Sequence, residues 1–191
     1  HMHPFLQRQM ISYQIFVVEQ NKPTPFNKAQ VMNAGFLEIR KQYGPFDCYI
    51  FHDIDMLPED DRAIYSCFLS PLHLGGHVST FGYKLIYGSY MGGVAGFTEE
   101  QFKTINGYST RFWGWGGEDE DIYRRVRIKN LDVRRYPKQI SQYYMHSHDR
   151  DKTNPKNDHR VEGYFVFDDK HYNNYGLRQT NYAIQSVTLY P

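Results

Sequence analysis

The chain has 191 residues, with 22 Lys and Arg against 21 Asp and Glu, so its formal net charge is only +1. This balance excludes a long-range field that would favour nucleic acid or an anionic membrane surface as partner. The length suits one domain, and no run approaches the roughly 18 apolar residues of a membrane span. Aromatic residues make up 17% of the chain, which fits either a Tyr-rich core or a sugar-binding cleft.

The first part of the chain predicts a strand, a helix and a second strand. Residues 13–19 are a short run of apolar, β-branched and aromatic side chains, typical of a buried strand. Apolar residues at helical spacing over residues 27–43 predict a helix that ends at Gly44. Residues 48–52 again resemble a strand. This order predicts a right-handed βαβ unit and a sheet that is at least partly parallel.

The second part of the chain predicts two more helices and a last strand. Irregular strands and loops are expected over residues 71–96, which are rich in Gly, His and Tyr. Thr98 suits the start of a helix over residues 98–106, although no Glu follows three residues later. Residues 118–128 are acidic at the start and basic at the end, in agreement with a helix dipole. Residues 182–189 predict a final strand.

Two carboxylates, Asp53 and Asp55, follow the second predicted strand. Side chains at i and i+2 of an extended chain share a face, and ligands of open α/β sheets bind beyond the carboxyl ends of strands. The pair is therefore suited to a divalent cation bound to a diphosphate. A calcium loop of the EF-hand type is excluded, because Leu57 and Pro58 stand where an oxygen ligand and a turn glycine belong. Two solvated loop acids remain the simpler interpretation of the motif taken alone.

A second candidate for metal binding lies at residues 145–149, which carry a thioether and two imidazoles. His146 and His148 share a face if this segment is a strand, and both would then reach one metal ion. A histidine pair without a metal is an equally good interpretation. Zinc is not indicated, because no cysteine or third histidine has a recognised ligand spacing.

The window over residues 112–121, FWGWGGEDED, combines two tryptophans, three glycines and four carboxylates. Successive residues of a helix turn by about 100°, so one or two of these acids would face a cleft, where a carboxylate can act as general base. For Glu120 and Asp121 we favour the role of acids at a helix start. The glycines around Trp115 would let this loop move over a ligand.

Six stretches of the chain resemble, in the same order, the β-1,4-galactosyltransferases, a family of metal-dependent glycosyltransferases. The resemblance implies an α/β nucleotide-sugar-binding glycosyltransferase domain, GT-A-like, with a mixed central sheet, spanning residues 1–191 as one catalytic domain. The family's first strand, with its Pro-Phe-Arg-x-Arg motif, is not found ahead of His3, so a domain without that strand is expected. The matching stretches are HPFLQRQ (3–9), FNKAQVMNAGF (26–36), FHDIDMLPEDDR (51–62), YGSYMGGVAGF (87–97), FWGWGGEDEDIYRR (112–125) and HDRDKTNP (148–155).

The resemblance implies transfer of galactose, with inversion, from UDP-galactose to the 4-hydroxyl of a terminal N-acetylglucosamine or related glycan acceptor, with Mn²⁺ as cofactor. Two alternatives are an inactive sugar-binding or scaffold homologue and a transferase that uses UDP-N-acetylgalactosamine. The family also implies the Golgi lumen, as the catalytic domain of a type II membrane protein with its anchor elsewhere. A disulfide between Cys48 and Cys67 is implied as well and suits an oxidising lumen.

The resemblance assigns catalytic roles within the acidic window. Asp119 falls on the family's catalytic base, and Glu118 falls on a contact to donor and acceptor. Tyr90 falls where an aromatic ring crowds the 2-position of the sugar, so UDP-galactose is the expected donor. The other implied contacts are Phe26, Asp53, Asp55, Gly93 and Trp115 for the donor, and Tyr87, Arg160 and Val161 for the acceptor.

The metal ligands implied by the resemblance are Asp55, Met145 and His148. Oxygen ligands suit Mn²⁺, whereas a thioether is a soft and weak partner. The strand periodicity instead favours His146 in place of Met145, and this alternative stays open.

Overall fold

The computed structural model describes residues 1–21, 24–149, 152–160 and 169–189. The helices are α1 (Met2–Arg8), α2 (Lys28–Tyr43), α3 (Glu99–Thr104), α4 (Glu118–Ile128) and α5 (Asp169–Asn174). The strands are β1 (Tyr49–His52), β2 (Met56–Pro58), β3 (Leu72–His73), β4 (His77–Val78), β5 (Val94–Phe97) and β6 (Gln142–Met145). Within these ranges no helix is long and apolar enough to cross a membrane.

The strands form two three-stranded sheets, in the orders β1-β5-β3 and β2-β6-β4. The first sheet is antiparallel throughout, whereas in the second β6 pairs antiparallel with β2 and parallel with β4. The mixed α/β architecture is therefore confirmed. The βαβ unit is wrong, because the strand after α2 pairs antiparallel with β5, from Tyr49 opposite Phe97 to His52 opposite Val94.

The predicted strand over residues 13–19 is also wrong, because this segment has no regular secondary structure and none of the described strands pairs with it. Val17 is 67% exposed, and Val18 packs instead against Gly35 of α2. The predicted strand over residues 182–189 is wrong for the same reason: the segment has no regular secondary structure, and Leu189 is 82% exposed. β-branched residues favour extended backbone, but a strand forms only where a neighbouring strand can pair with it.

The three predicted helices are confirmed. The side chain of Asn27 caps α2 by accepting from the Gln30 backbone N–H at 2.8 Å. Thr98 and Gln101 complete a capping box at α3, so Gln takes the place of the absent Glu. The last of the three, α4, begins and ends at the predicted residues.

Aromatic packing fixes the helices against the first sheet. Phe51 of β1 stacks on Phe102 of α3 at 4.5 Å between ring centroids, and Phe36 of α2 contacts the same ring at 4.8 Å. Ile122 and Val126 of α4 are fully buried in this cluster. The starts of α2 and α4 are thereby held near the carboxyl end of β1.

The disulfide implied by the resemblance is present between Cys48 and Cys67, which lie 19 positions apart. Replacing both by alanine (C48A/C67A) should lower the free energy of unfolding by about 3 kcal/mol, because the loop no longer restricts the unfolded chain. Urea unfolding of the oxidised protein and of the double variant measures the difference. Equal midpoints and slopes would contradict this expectation.

Candidate active site

Four charged side chains meet just beyond β1. Lys28 Nζ lies 3.0 Å from Asp53 Oδ2, 3.4 Å from Asp119 Oδ1 and 3.9 Å from Glu118 Oε1. We call these four residues the charge cluster. Its members come from the first residue of α2, the residue after β1 and the first two residues of α4. Their side chains are only 12–28% exposed, so the cluster is shielded from bulk water.

The start of α4 is built to present acids. Gly117, the N-cap, has φ = 104°, and a methyl group there would lie 2.6 Å from the Phe112 ring, so both backbone and space require glycine. Four carboxylates occupy the first helical turn. The partial positive charge of the helix N-terminus stabilises acids at this place.

Lys28 is the member of the charge cluster that the sequence interpretation missed. Burial alone would lower the pKa of Lys28, but the carboxylates, led by Asp119 and Asp53, outweigh burial and raise this pKa well above its ordinary value. Lys28 therefore stays charged. A signal was available, because a lysine in the first turn of a helix without an acid there opposes the helix dipole.

The two acids of α4 in the cluster hold protons more tightly than exposed acids do. Burial, followed by the charge of Asp119, raises the pKa of Glu118 to about 7, and burial also raises the pKa of Asp119. The Lys28 charge opposes both shifts. Within the described part of the chain, Glu118 Oε2 is buried without a hydrogen-bond partner. This orphaned oxygen is suited to a hydroxyl donor.

The residues before β5 form one wall of the site. Gly92 packs so closely on Asp119 that a methyl group there would lie 2.2 Å from Oδ2. The carbonyl of Gly93, which has φ = 77°, accepts the Asp53 backbone N–H at 2.9 Å. Tyr90 is buried at 8% exposure. The predicted donor contacts Tyr90, Gly93 and Asp53 thus lie around Asp119.

The predicted lid lies at the outer side of the site. Trp115 is 58% exposed, and its backbone pairs with residues 155–157 through Trp115 N–H to Pro155 O at 2.8 Å and Asn157 N–H to Trp115 O at 3.0 Å. Gly114 N–H donates to the carbonyl of Phe26 at 2.8 Å. The Arg160 side chain lies against Gly116. Phe26, Trp115 and Arg160 are thus neighbours, whereas Val161 lies outside the described residues.

Glu120 and Asp121 lie in the first turn of α4, as expected, and each also has a specific partner. Tyr87, a predicted acceptor contact, donates its hydroxyl to Glu120 Oε1. Asp121 is fully buried and accepts from Arg125 Nε at 2.5 Å. These two acids therefore stabilise the helix and its surroundings beyond a simple dipole effect.

Asp53 and Asp55 have different partners. The Met56 N–H donates to the Asp53 carbonyl at 3.1 Å, closing a turn, so the expected extended chain with both carboxylates on one side is wrong. Asp53 joins Lys28, whereas Asp55 Oδ2 lies 3.4 Å from His148 Nε2.

Of the predicted metal ligands, Asp55 and His148 lie close together beyond the end of β6. Because β6 ends at Met145, the argument from strand periodicity for His146 does not hold. The backbone N–H of His146 donates to the carbonyl of Asp55 at 2.7 Å. Met145 Sδ accepts from Thr80 Oγ1 at 3.3 Å. Among the described residues no group of three or more His, Cys, Asp or Glu side chains is arranged so that it could hold a metal ion. The carboxylate of Asp55 and the imidazole of His148 are nevertheless donors that fit Mn²⁺.

Comparison with known proteins agrees with this arrangement. Residues 1–68 match the model of the N-terminal region of glycosyl transferase group 7, and residues 72–149 match that of the N-terminal domain of galactosyltransferase. Together with the mixed α/β fold, these matches define the class as glycosyltransferases.

Individual relatives narrow the class. The chain is 43% identical over 160 residues to β-1,4-galactosyltransferase 2 of Cricetulus griseus, covering 84% of this chain and 43% of that protein. For β-1,4-galactosyltransferase 4 of Homo sapiens the identity is 43% over 162 residues, covering 85% and 47%. The catalytic domain of Drosophila β-1,4-galactosyltransferase 7, solved with xylobiose, superposes with a TM-score of 0.80 at 32% identity, covering 98% of this chain and 78% of that one.

The chain belongs to the β-1,4-galactosyltransferase family. It spans less than half of the length of these curated relatives.

Replacing Glu118 by glutamine (E118Q) should make the protein more stable at pH 8 than the unchanged chain, by about 1–3 kcal/mol without metal. The pKa of Glu118 in the folded chain is raised to about 7, so its protonated form favours folding. This contribution to stability is fully present below pH 4.5 and is lost as the pH rises through 7, whereas glutamine stays neutral throughout. The gain should shrink towards pH 4.5.

Urea unfolding at pH 5 and pH 8 with a chelator measures the effect. Glu100→Gln, an exposed acid in the first turn of α3, is the matched control. A variant that is equally or less stable at pH 8 would contradict the raised pKa.

Proposed function

We propose that this chain transfers galactose from UDP-galactose to a sugar hydroxyl, with Asp119 as the general base. The charge cluster carries the proposal, because it holds a half-buried base, Asp119, and a second acid, Glu118, whose Oε2 has no hydrogen-bond partner among the described residues. Family membership supports it, and a solved Drosophila relative at TM-score 0.80 and 32% identity is a complex with manganese, UDP-Gal and xylobiose.

In the proposed reaction Asp119 accepts the proton of the acceptor's 4-hydroxyl as that oxygen attacks the anomeric carbon of galactose. The new C–O bond forms as the bond to the diphosphate breaks, which inverts the anomeric centre and releases UDP. The raised pKa of Asp119 makes it a stronger base than an exposed aspartate. Lys28 keeps it sufficiently ionised to act, and Glu118 Oε2 accepts a sugar hydroxyl.

Asp55 and His148 would hold Mn²⁺, with Met145 as the third ligand and His146 as its alternative. When bound, this ion neutralises charge on the departing diphosphate. The protein's own part is to hold the carboxylate and imidazole within 3.4 Å of each other.

Tyr90 supports UDP-galactose over UDP-N-acetylgalactosamine as donor. Its ring is packed edge-on against His73 at 5.4 Å and against Tyr87 at 5.8 Å, so it has little room to move away from a larger 2-substituent. Transfer from UDP-N-acetylgalactosamine alone would overturn this assignment.

N-acetylglucosamine is the proposed acceptor, and a xyloside is the second candidate because of the xylobiose complex. Assays with UDP-galactose, Mn²⁺ and either p-nitrophenyl N-acetylglucosaminide or xyloside, read by mass spectrometry, distinguish them. No galactose transfer to either acceptor and no UDP binding would instead favour an inactive sugar-binding homologue. An oxidising Golgi lumen as location agrees with the bonded Cys48 and Cys67.

Replacing Asp119 by asparagine (D119N) should reduce kcat by about 10²–10⁴-fold, because the general base is lost. UDP affinity, measured by calorimetry, should change little. Asp132→Asn serves as control, because the exposed Asp132 carboxylate pairs with a surface arginine, Arg127. This variant should retain full activity. Loss of turnover and UDP binding together would contradict a chemical role and indicate a structural one.

Replacing His148 by alanine (H148A) should raise the Mn²⁺ concentration needed for half-maximal activity by about 10–100-fold, because one ligand is lost. Titrating Mn²⁺ after chelation measures this shift. Replacing His146 by alanine under the same conditions separates the two histidines. A larger shift for His146 than for His148 would contradict the preferred ligand set.

A further inference from the structure

A buried histidine supports the wall of the site from behind. His73 of β3 is 1% exposed, and its Nε2 lies 2.9 Å from the carbonyl of Gly92. The same ring contacts Tyr90 edge-on, with 5.4 Å between centroids. His73 therefore contacts both the residue that abuts Asp119 and the residue proposed to select the donor.

Arg135 fixes the orientation of that histidine. Its Nε donates to His73 Nδ1 at 2.9 Å. An arginine N–H can only donate, so Nδ1 accepts and the remaining proton sits on Nε2, which donates to the Gly92 carbonyl. Burial, reinforced by the charge of Arg135, lowers the pKa of His73 to about 3, so the ring stays neutral with this tautomer.

The same guanidinium also holds the wall directly. Arg135 Nη2 donates to the carbonyl of Gly88 at 2.9 Å and to that of Tyr90 at 2.8 Å. Three alternate carbonyls of one loop, at residues 88, 90 and 92, are thus bound by one Arg–His unit. Planar fork geometry makes such a set of contacts possible for arginine and not for lysine.

The loop held in this way determines where the reacting groups lie. Gly92 leaves no space for a methyl group beside Asp119 Oδ2, and Gly93 accepts from the Asp53 backbone at 2.9 Å. A shift of the loop by an ångström would move the Tyr90 ring and loosen the packing on Asp119. Misplacement of this size at a reacting centre can cost about a hundredfold in rate.

We propose that Arg135 and His73 are positioning residues that set donor selectivity, by holding the loop over residues 88–92 in the place where Tyr90 crowds the 2-position of the sugar. This inference rests on the proposed galactosyl transfer. Neither residue touches the reacting atoms; both act through Tyr90 and Gly92.

Replacing Arg135 by lysine (R135K) keeps the charge and removes the fork. The expected result is at least a fivefold fall in the ratio of kcat/KM for UDP-galactose to that for UDP-N-acetylgalactosamine, mostly through KM for UDP-galactose. A merely structural role would lower kcat/KM equally for both donors and leave this ratio unchanged. Arg134→Lys is the matched control, because the neighbouring Arg134 side chain lies over the Phe68 ring, and should keep the ratio.

Two variants of His73 test its hydrogen bonds separately from the volume of its side chain. Glutamine at position 73 (H73Q) has an oxygen that can accept from Arg135 and an N–H that can donate to Gly92, whereas H73L can do neither. H73Q should recover most of the donor ratio that H73L loses. Urea unfolding checks that each variant is folded, and R135K carries the test if H73L is not.

Two results are decisive. A protein that transfers from neither donor removes the proposed function, and with it this inference. If the unchanged chain transfers galactose, and R135K and H73L keep its donor ratio and its KM, the inference is overturned while the proposed function stands.

Discussion

The contact of Lys28 with Asp53, Glu118 and Asp119 is the interaction on which the site depends. Three carboxylates this close repel one another, and burial adds to the cost of their charge. One ammonium group 3.0–3.9 Å from all three offsets much of that cost. The contact exists only because aromatic packing brings the starts of α2 and α4 to the end of β1. The geometry of the site therefore depends on the packing of the core.

The incomplete compensation is what gives the cluster its chemistry. A single positive charge leaves the pKa values of Glu118 and Asp119 raised, so these groups can take up a proton while Lys28 stays charged. The loop before β5 closes the site without a side chain at Gly92, which allows Asp119 to approach the backbone. His73 then fixes that loop from the buried side. The charge of the site is thus set by Lys28 and its carboxylates, and the shape of the site by the loop before β5 and His73 behind it.

Local patterns predicted the helices and the position of the acids, but not the pairing partners. α4 was predictable to the residue because its charges follow the dipole. Residues 13–19 have the composition of a strand and yet lack a neighbour among the described strands. Lys28 could not be assigned from spacing, since its carboxylates lie 25 to 91 positions away in sequence. Such contacts depend on packing between distant elements, which periodicity does not encode.

The most direct test of this account is the carboxyl pKa of Asp119 with and without its cation. ¹³C NMR titration of carboxyl-labelled protein, assigned with D119N and free of metal, measures it in the unchanged chain and in Lys28→Met. If Lys28 holds the cluster together, the variant should show a higher pKa for Asp119, because the opposing charge is gone. An unchanged or lower pKa would contradict the central role of Lys28.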